Sequence, residues 1–101
     1  MKCKINRNAA KKLKEILNEE ESQGKMIRVV KTHQHGDHAH YALELDVPGE
    51  HDEVVHTDKD IDIILDQREK EWLDGIWIQY FYVPEEGFVI TNPAKGNHGD
   101  H

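Results

Sequence analysis

The sequence predicts an α+β domain that is rich in β-structure, with mixed or antiparallel sheets, one N-terminal helix and one short second helix. Most of the chain alternates apolar and polar residues in short runs, which is the pattern of half-buried strands. Apolar residues recur at helical spacing over only one longer segment, near the N-terminus. A chain of 101 residues suffices for one domain with a single core.

The N-terminal segment predicts a strand followed by a helix. Residues 1–5 alternate apolar and charged side chains, so Cys3 and Ile5 are expected to face inward, with Cys3 as a small buried hydrophobe. Asn6 is a suitable N-cap for the helix. The apolar stripe of this helix consists of Ala9, Ala10, Leu13, Ile16 and Leu17. We expect Gly24 to end the segment.

The middle of the chain predicts two hairpins. Residues 26–31 are rich in β-branched side chains and residues 41–46 alternate, so they form strands on either side of a histidine-rich loop. Residues 53–56 and 61–65 form a second hairpin around a polar turn. Two histidines at these turns, His51 and His56, are expected to face solvent.

The C-terminal part predicts a short helix and two strands. Asp66 and Glu69 have the spacing of a capping box, and the helix that they open ends at Leu73. Residues 76–82 form the most hydrophobic strand, and its apolar residues on both faces indicate a central position. Residues 87–91 form the last strand.

Composition narrows the classes of function. The formal charge of −7 and the absence of a basic patch argue against nucleic acid as a partner. One cysteine allows no intramolecular disulfide, and the sequence shows neither a signal peptide nor a long apolar run. We therefore expect a cytoplasmic protein that does not enter a membrane.

Residues 32–40 form the most distinctive stretch, because they hold four of the eight histidines and one aspartate. In extended backbone His33 and His35 share one face, while His38 and His40 share another; Gly36 allows a bend between the pairs. Sets of imidazole and carboxylate groups suit zinc, iron, nickel or manganese. The stretch therefore predicts a metal site, with a solvated turn as the alternative.

A second group of candidate ligands lies at the C-terminus. We divide the chain into a domain of residues 1–93 and a tail of residues 94–101, which contains His98, Asp100 and His101. Glycines between these residues let the backbone turn tightly enough to present them together. The alternative is a frayed tail with incidental histidines.

Two resemblances to known families bear on this site. The local motif Thr-His-x-His-x-Asp-His at residues 32–38 resembles the metal motif of the metallo-β-lactamase superfamily, but the chain is too short for that fold. Over nearly its whole length the sequence resembles the HesB/IscA family of A-type iron-sulfur carriers. The matching segments are residues 6–13, 41–44, 73–75 (Leu-Asp-Gly), 76–80 and 87–93, which end in Asn-Pro.

The HesB/IscA resemblance implies a compact β-rich domain, often dimeric or larger, that binds iron or an iron-sulfur cluster and passes it to other proteins. Family members carry a loop cysteine and a C-terminal Cys-Gly-Cys. Here the tail cysteines correspond to His98 and Asp100, and the loop cysteine corresponds to His35 or Asp37. Because clusters are held mostly by thiolates, a conventional cluster is not expected and a divalent ion, iron or zinc, is the implied ligand.

These observations lead to one main hypothesis and two alternatives. The main one is a metal-binding HesB/IscA-like protein related to iron carriage or iron-sulfur cluster assembly. This protein would be homo-oligomeric and would bind assembly or recipient proteins. Its candidate ligands are His33, His35, Asp37, His38, His40, His98, Asp100 and His101. The alternatives are a small metal-dependent hydrolase or oxygen-using enzyme, and an interaction module that has lost the site; we do not expect an enzyme.

Overall fold

The computed structural model describes residues 1–94, which form two β-sheets and two α-helices. In chain order the elements are β1 (Cys3–Ile5), α1 (Arg7–Leu17), β2 (Met26–His35), β3 (His38–Asp46), β4 (Asp52–His56), β5 (Asp62–Asp66), α2 (Lys70–Leu73), β6 (Ile76–Phe81) and β7 (Gly87–Thr91). Short 3-10 helices, Glu20–Ser22 and Gln67–Glu69, precede β2 and α2. The predicted α+β class is confirmed.

Both sheets contain parallel and antiparallel pairs. The three-stranded sheet has the order β1-β6-β7, with β1 parallel and β7 antiparallel to β6. The four-stranded sheet has the order β3-β2-β5-β4, and its central pair, β2 and β5, is parallel. The structure thus confirms the central position predicted for β6 and both predicted hairpins.

Helix α1 is joined to β6 through its N-cap. The side-chain oxygen of Asn6 accepts hydrogen bonds from the amides of Ala9 at 2.8 Å and Tyr80 at 3.1 Å. The cap therefore satisfies an orphan amide of the helix and fixes the helix on the sheet at once. The fully buried residues of the core come from the helix and both sheets: Ile5, Leu13, Val29, Ile63, Leu65, Leu73, Ile76 and Ile78.

The end of α1 differs from the prediction. The helix ends at Leu17, and Gly24 instead lies with a φ of +79° in the turn that leads into β2. The reason is local, because the amide of Glu19 and the buried hydroxyl of Ser22 both donate to the carbonyl oxygen of Ile16, at 3.1 and 2.6 Å, and so close the end of the helix. Sequence spacing alone does not show this contact.

The predicted capping box before α2 forms only in part. The carboxylate of Asp66 accepts from the amide of Arg68 at 2.8 Å, whereas the carboxylate of Glu69 pairs with Lys31 of β2 at 3.1 Å. The hydrogen bond from the Arg68 side chain lowers the pKa of Asp66 to about 2. Trp72 is buried, as expected for a residue that fixes the short helix to the sheet.

Arg28, near the start of β2, contacts the end of β3 and the start of β4. Its guanidinium donates to both carboxylate oxygens of Asp52, at 2.5 and 2.7 Å, and to Asp46 at 3.3 Å. The Asp52 side chain is only 5% exposed, and the hydrogen bonds from Arg28 hold its pKa below the ordinary value. Such a bidentate pair adds geometric specificity as well as energy.

Asn92 joins the two sequence motifs at the C-terminal end of the domain. Its side-chain amide is buried and donates to the carbonyl oxygens of Trp72 at 2.7 Å and Asp74 at 3.0 Å. Gly75 has a φ of +90°, and a Cβ at that position would lie 3.4 Å from the side-chain oxygen of Asn92. The Leu-Asp-Gly and Asn-Pro motifs are therefore in direct contact, which gives a physical reason for their joint occurrence.

No helix within residues 1–94 combines the length and the apolar character that crossing a bilayer requires.

Replacing Asn92 with Ala should lower the free energy of unfolding by about 1–3 kcal/mol, because the carbonyl group of Asp74 loses this donor and the carbonyl group of Trp72 keeps only the hydrogen bond from Tyr41. The matched control is Asn18→Ala at an exposed position, which should change stability by less than about 0.5 kcal/mol. Urea denaturation followed by circular dichroism measures both. Equal stability of the two variants would contradict a structural role for the Asn92 amide.

Acid should destabilise the protein through Asp66. Because folding lowers the pKa of this carboxyl from 3.8 to about 2, its contribution is complete above about pH 5 and is lost as the pH falls through about 2. Asp66→Asn keeps an N-cap acceptor but removes the charge. The unfolding free energy of the variant, measured from pH 6 to pH 2, should therefore fall less steeply than that of the wild type. If the unfolding free energies of the variant and the wild type fell in parallel with pH, the role of Asp66 in acid destabilisation would be refuted.

Candidate metal-binding hairpin

The histidines lie on the outer half of the hairpin formed by β2 and β3. These two strands pair without interruption except for a register shift between Lys31 and His33, which leaves Thr32 as an extra residue. Strand β2 also pairs with β5, but within residues 1–94 only at Ile27 and Arg28. The outer half therefore projects beyond the sheet.

A two-residue turn closes this hairpin. Gly36 and Asp37 occupy its central positions, and Gly36 has a φ of +58°. A positive φ at the first central position fits a type II′ turn, the geometry that matches the twist of two antiparallel strands and favours glycine there. The loop between the predicted strands is thus a continuation of both strands, which are longer than the sequence pattern indicated.

All four hairpin histidines lie on one face. His33 pairs with His40 and His35 pairs with His38 in the antiparallel register, and directly opposed residues project to the same side of a sheet. In one continuous extended strand the two pairs would lie on different faces, and the bend expected at Gly36 brings them onto one. The face that they share depends on the register that the turn sets.

Two of the imidazoles converge closely. The Nε2 atoms of His33 and His35 are 2.7 Å apart, and their ring centroids are 4.3 Å apart. The ring of His40 lies 6.1 Å from that of His33. Two nitrogen ligands with bonds of 2.0–2.1 Å to a tetrahedral metal are separated by about 3.3 Å. The contact is a hydrogen bond in which one ring donates to the other, and an ion that replaced the shared proton would need the pair to widen by only a small distance.

The remaining candidate ligands are farther from this pair or lie outside the described residues. Asp37 and His38 are exposed at the turn, with 3.9 Å between a carboxylate oxygen and Nε2. Within residues 1–94 no group of three or more His, Cys, Asp or Glu side chains has an arrangement that could hold a metal ion. His98, Asp100 and His101 lie outside the described residues, so their part in the site stays a prediction.

The base of the hairpin lies beside the start of the tail. The hydroxyl of Tyr41 donates to the carbonyl oxygen of Trp72 at 3.1 Å, and the amide of Asn92 donates to the same oxygen at 2.7 Å. Tyr41 follows His40 directly, and Asn92 is close to the last described residue. One carbonyl group thus brings the histidine strand and the beginning of the tail together, which sequence reasoning did not foresee.

The single cysteine is separate from the hairpin. Cys3 is buried in β1, where desolvation by burial, followed by the charge of Asp58, raises the pKa of its thiol to about 12. A thiol with such a pKa is protonated at neutral pH and is a poor metal ligand. The donors that the described residues offer are therefore imidazole and carboxylate groups.

An apolar cleft of about 360 Å³ lies between β3, β7 and α1. Its wall includes Leu13, Tyr41, Leu43, Phe88 and Ile90, and no histidine contributes to it. The spacing of these residues predicts strands and a helix but does not predict the cleft. The cleft and the histidines are separate features, so the hydrolase alternative gains no support from their positions.

The sequence matches neither a model of a known protein family nor a curated protein. The HesB/IscA resemblance therefore rests on the residues quoted for it and stays a prediction.

Tyr41→Phe should lower the free energy of unfolding by about 1 kcal/mol, because it removes one hydrogen bond to the Trp72 carbonyl oxygen and little else. The matched control is Tyr82→Phe, since the Tyr82 side chain is 45% exposed, and it should leave stability unchanged. Thermal denaturation of both variants checks the prediction. A loss in the Tyr82 variant as large as that in the Tyr41 variant would show that the measured effect is not specific to this bond.

Proposed function

We propose that this protein is a HesB/IscA-like metal-binding protein whose hairpin imidazoles bind a divalent ion, iron or zinc. In this proposal it functions in iron carriage or iron-sulfur cluster assembly. The observation that carries the proposal is the 2.7 Å approach of the His33 and His35 Nε2 atoms on a face that His38 and His40 share. Neutral imidazole is the commonest metal-ligating side chain, and this strand spacing presents two of them to one point.

The donor set fits a single ion better than a cluster. Imidazole and carboxylate groups bind zinc and ferrous iron well, whereas iron-sulfur clusters are held mostly by thiolates. The protonated and buried Cys3 thiol offers no thiolate to such a cluster. The ion would be cargo in this proposal, and the protein contributes ligands, their orientation and an exposed position from which a recipient can take the ion.

The tail is proposed to complete the ligand set. Asn92 is fixed next to Tyr41 through their shared acceptor, and His98 follows six residues later, a span of about 20 Å in extended chain. The three residues from Tyr41 to His38 span about 10 Å of strand. The tail is therefore long enough to bring His98, Asp100 or His101 to the hairpin face of the same chain or of a second subunit.

The contacts of the motif residues support the family part of the proposal. The Leu-Asp-Gly and Asn-Pro motifs meet at the Asn92 side chain, beside the strand that carries His40. In the resembling family the loop and tail ligands converge, and the contact gives a structural basis for the same convergence here. A homo-oligomer and recipient proteins belong to this proposal as its expected partners.

The proposal predicts that ion binding depends on the hairpin histidines and on pH. Calorimetric titration of zinc, and of ferrous iron without oxygen, into metal-free protein should show a His33→Ala, His35→Ala double variant with affinity at least about tenfold lower than the wild type. Affinity should fall in acid, because protons compete with the ion for the imidazole nitrogens.

The matched control is a His51→Ala, His56→Ala double variant, which removes two exposed histidines away from the hairpin and should retain wild-type affinity. A chain that ends at residue 94 tests the tail and should also bind more weakly. The proposal fails if the wild type binds no more tightly than the hairpin variant, or if both double variants lose affinity equally. Elemental analysis of protein purified without a polyhistidine tag gives the identity of the ion.

A further inference from the structure

Helix α1 carries a stripe of basic side chains on its exposed side, although the chain as a whole is acidic. Arg7, Lys11 and Lys14 follow one another at spacings of four and three residues, so their side chains lie on one face of the helix. All three are exposed. The full chain has a formal charge of −7, whereas α1 has four basic residues and one acidic residue. The helix is therefore a local region of positive charge on an acidic protein.

The turn between β4 and β5 lies beside this stripe, and the two enclose a groove of about 540 Å³. We use the name basic groove for the space lined by the stripe and by Asp58, Lys59 and Asp60 of the turn. The carboxylate of Asp58 already has partners, because it accepts from the amide of Ile5 at 3.1 Å and lies 3.0 Å from the ammonium group of Lys59. No basic patch was evident in the sequence, because only folding brings Lys59 to the helix.

The three cations of the stripe have no partner among residues 1–94. None of them forms an ion pair or a side-chain hydrogen bond there. Lys12, on a different face of the same helix, lies 3.8 Å from the carboxylate oxygens of both Glu15 and Glu86. The helix thus pairs the lysine outside the basic groove and leaves the cations inside it free to contact another molecule.

The positions of these cations are unfavourable for the helix itself. Arg7 is the first residue of α1, and the first turn contains no acidic residue. The N-terminal end of a helix dipole is positive and favours anions, so a cation there is destabilising. Like charges three and four residues apart also repel each other. Helix stability therefore does not explain the stripe, whereas an anionic partner would relieve both effects.

We propose that an acidic segment of another protein binds in the basic groove. Its carboxylates pair with Arg7, Lys11 and Lys14, and charge complementarity makes the contact selective. The acidic character of the rest of the chain favours a short segment over a long polyanion. Nucleic acid or an anionic membrane would extend past the groove and meet a surface of like charge. The groove also has no aromatic side chain on which nucleic-acid bases could stack.

This interaction does not depend on the metal-binding proposal, because no histidine lines the basic groove. The two proposals can therefore fail separately. An experiment on metal-free protein, in a buffer that contains a chelator, measures the basic groove without a contribution from the hairpin histidines.

Fluorescence anisotropy of a labelled oligoglutamate peptide, titrated with the full chain, tests the proposal. The wild type should bind the peptide at low ionic strength, although its net charge alone predicts repulsion, and the affinity should fall as salt is added. A Lys11→Ala, Lys14→Ala double variant should bind at least about tenfold more weakly. Alanine keeps the helix propensity of these positions.

The matched control is a Lys2→Ala, Lys70→Ala double variant, which removes the same charge from two exposed lysines outside the basic groove and should keep wild-type affinity. Circular dichroism confirms that each variant is folded. Amide chemical shifts in nuclear magnetic resonance spectra should change mainly in residues 7–17 and 57–60 when the peptide is added. Shifts concentrated elsewhere would contradict the assignment of the groove.

Single-stranded DNA and phosphatidylserine vesicles represent the two competing occupants, and both should bind more weakly than the peptide. The proposal is overturned if the wild type does not bind the peptide or if both double variants lose affinity equally. Tighter binding of the DNA or of the vesicles than of the peptide would also overturn it, and would assign the basic groove to that occupant.

Discussion

The carbonyl group of Trp72 is the point on which the arrangement of the candidate site depends. It accepts one hydrogen bond from Tyr41, at the base of the histidine hairpin, and another from Asn92, where the chain leaves the last strand. A single buried acceptor thus fixes two segments that are far apart in sequence. The short helix that supplies this carbonyl has few residues, but Trp72 and Leu73 are both buried, and this holds it in place. Packing therefore determines where the hairpin and the beginning of the tail meet.

The hairpin adds a second constraint, because the turn sets which side chains share a face. With Gly36 in the left-handed region, two residues suffice to close the strands, and each histidine of β2 pairs with a histidine of β3. The imidazoles then project to one side and lie outside the hydrophobic core. Burial contributes little to the arrangement of the imidazoles. The hairpin can therefore keep them on one face whether or not a metal ion is bound.

Signals between neighbouring residues predicted most elements. They include the cap at Asn6, which begins α1, the alternation of residues in β6 and the bounds of β7. The misses have both local and long-range causes. Gly24 was expected to end α1, but a local contact of the Ser22 hydroxyl with Ile16 closes the helix earlier. The parallel pairing of β2 with β5 joins strands without any local signal. For the site, spacing identified the histidines, whereas the face that they share follows from the register and the position of Asn92 follows from packing.

The burial of Cys3 has a consequence for the chemistry of the whole protein. Oxidants and electrophiles attack the thiolate form of cysteine, and this thiol is both shielded and held in its protonated form. The described chain therefore presents no reactive sulfur of this kind to peroxide or to disulfide exchange. Proteins that bind metals through cysteine lose their ligands under such stress, whereas imidazole and carboxylate groups keep their donor atoms. A ligand set without sulfur would avoid thiol oxidation, while protons would still compete with the ion for its imidazoles, as they also do for thiolates.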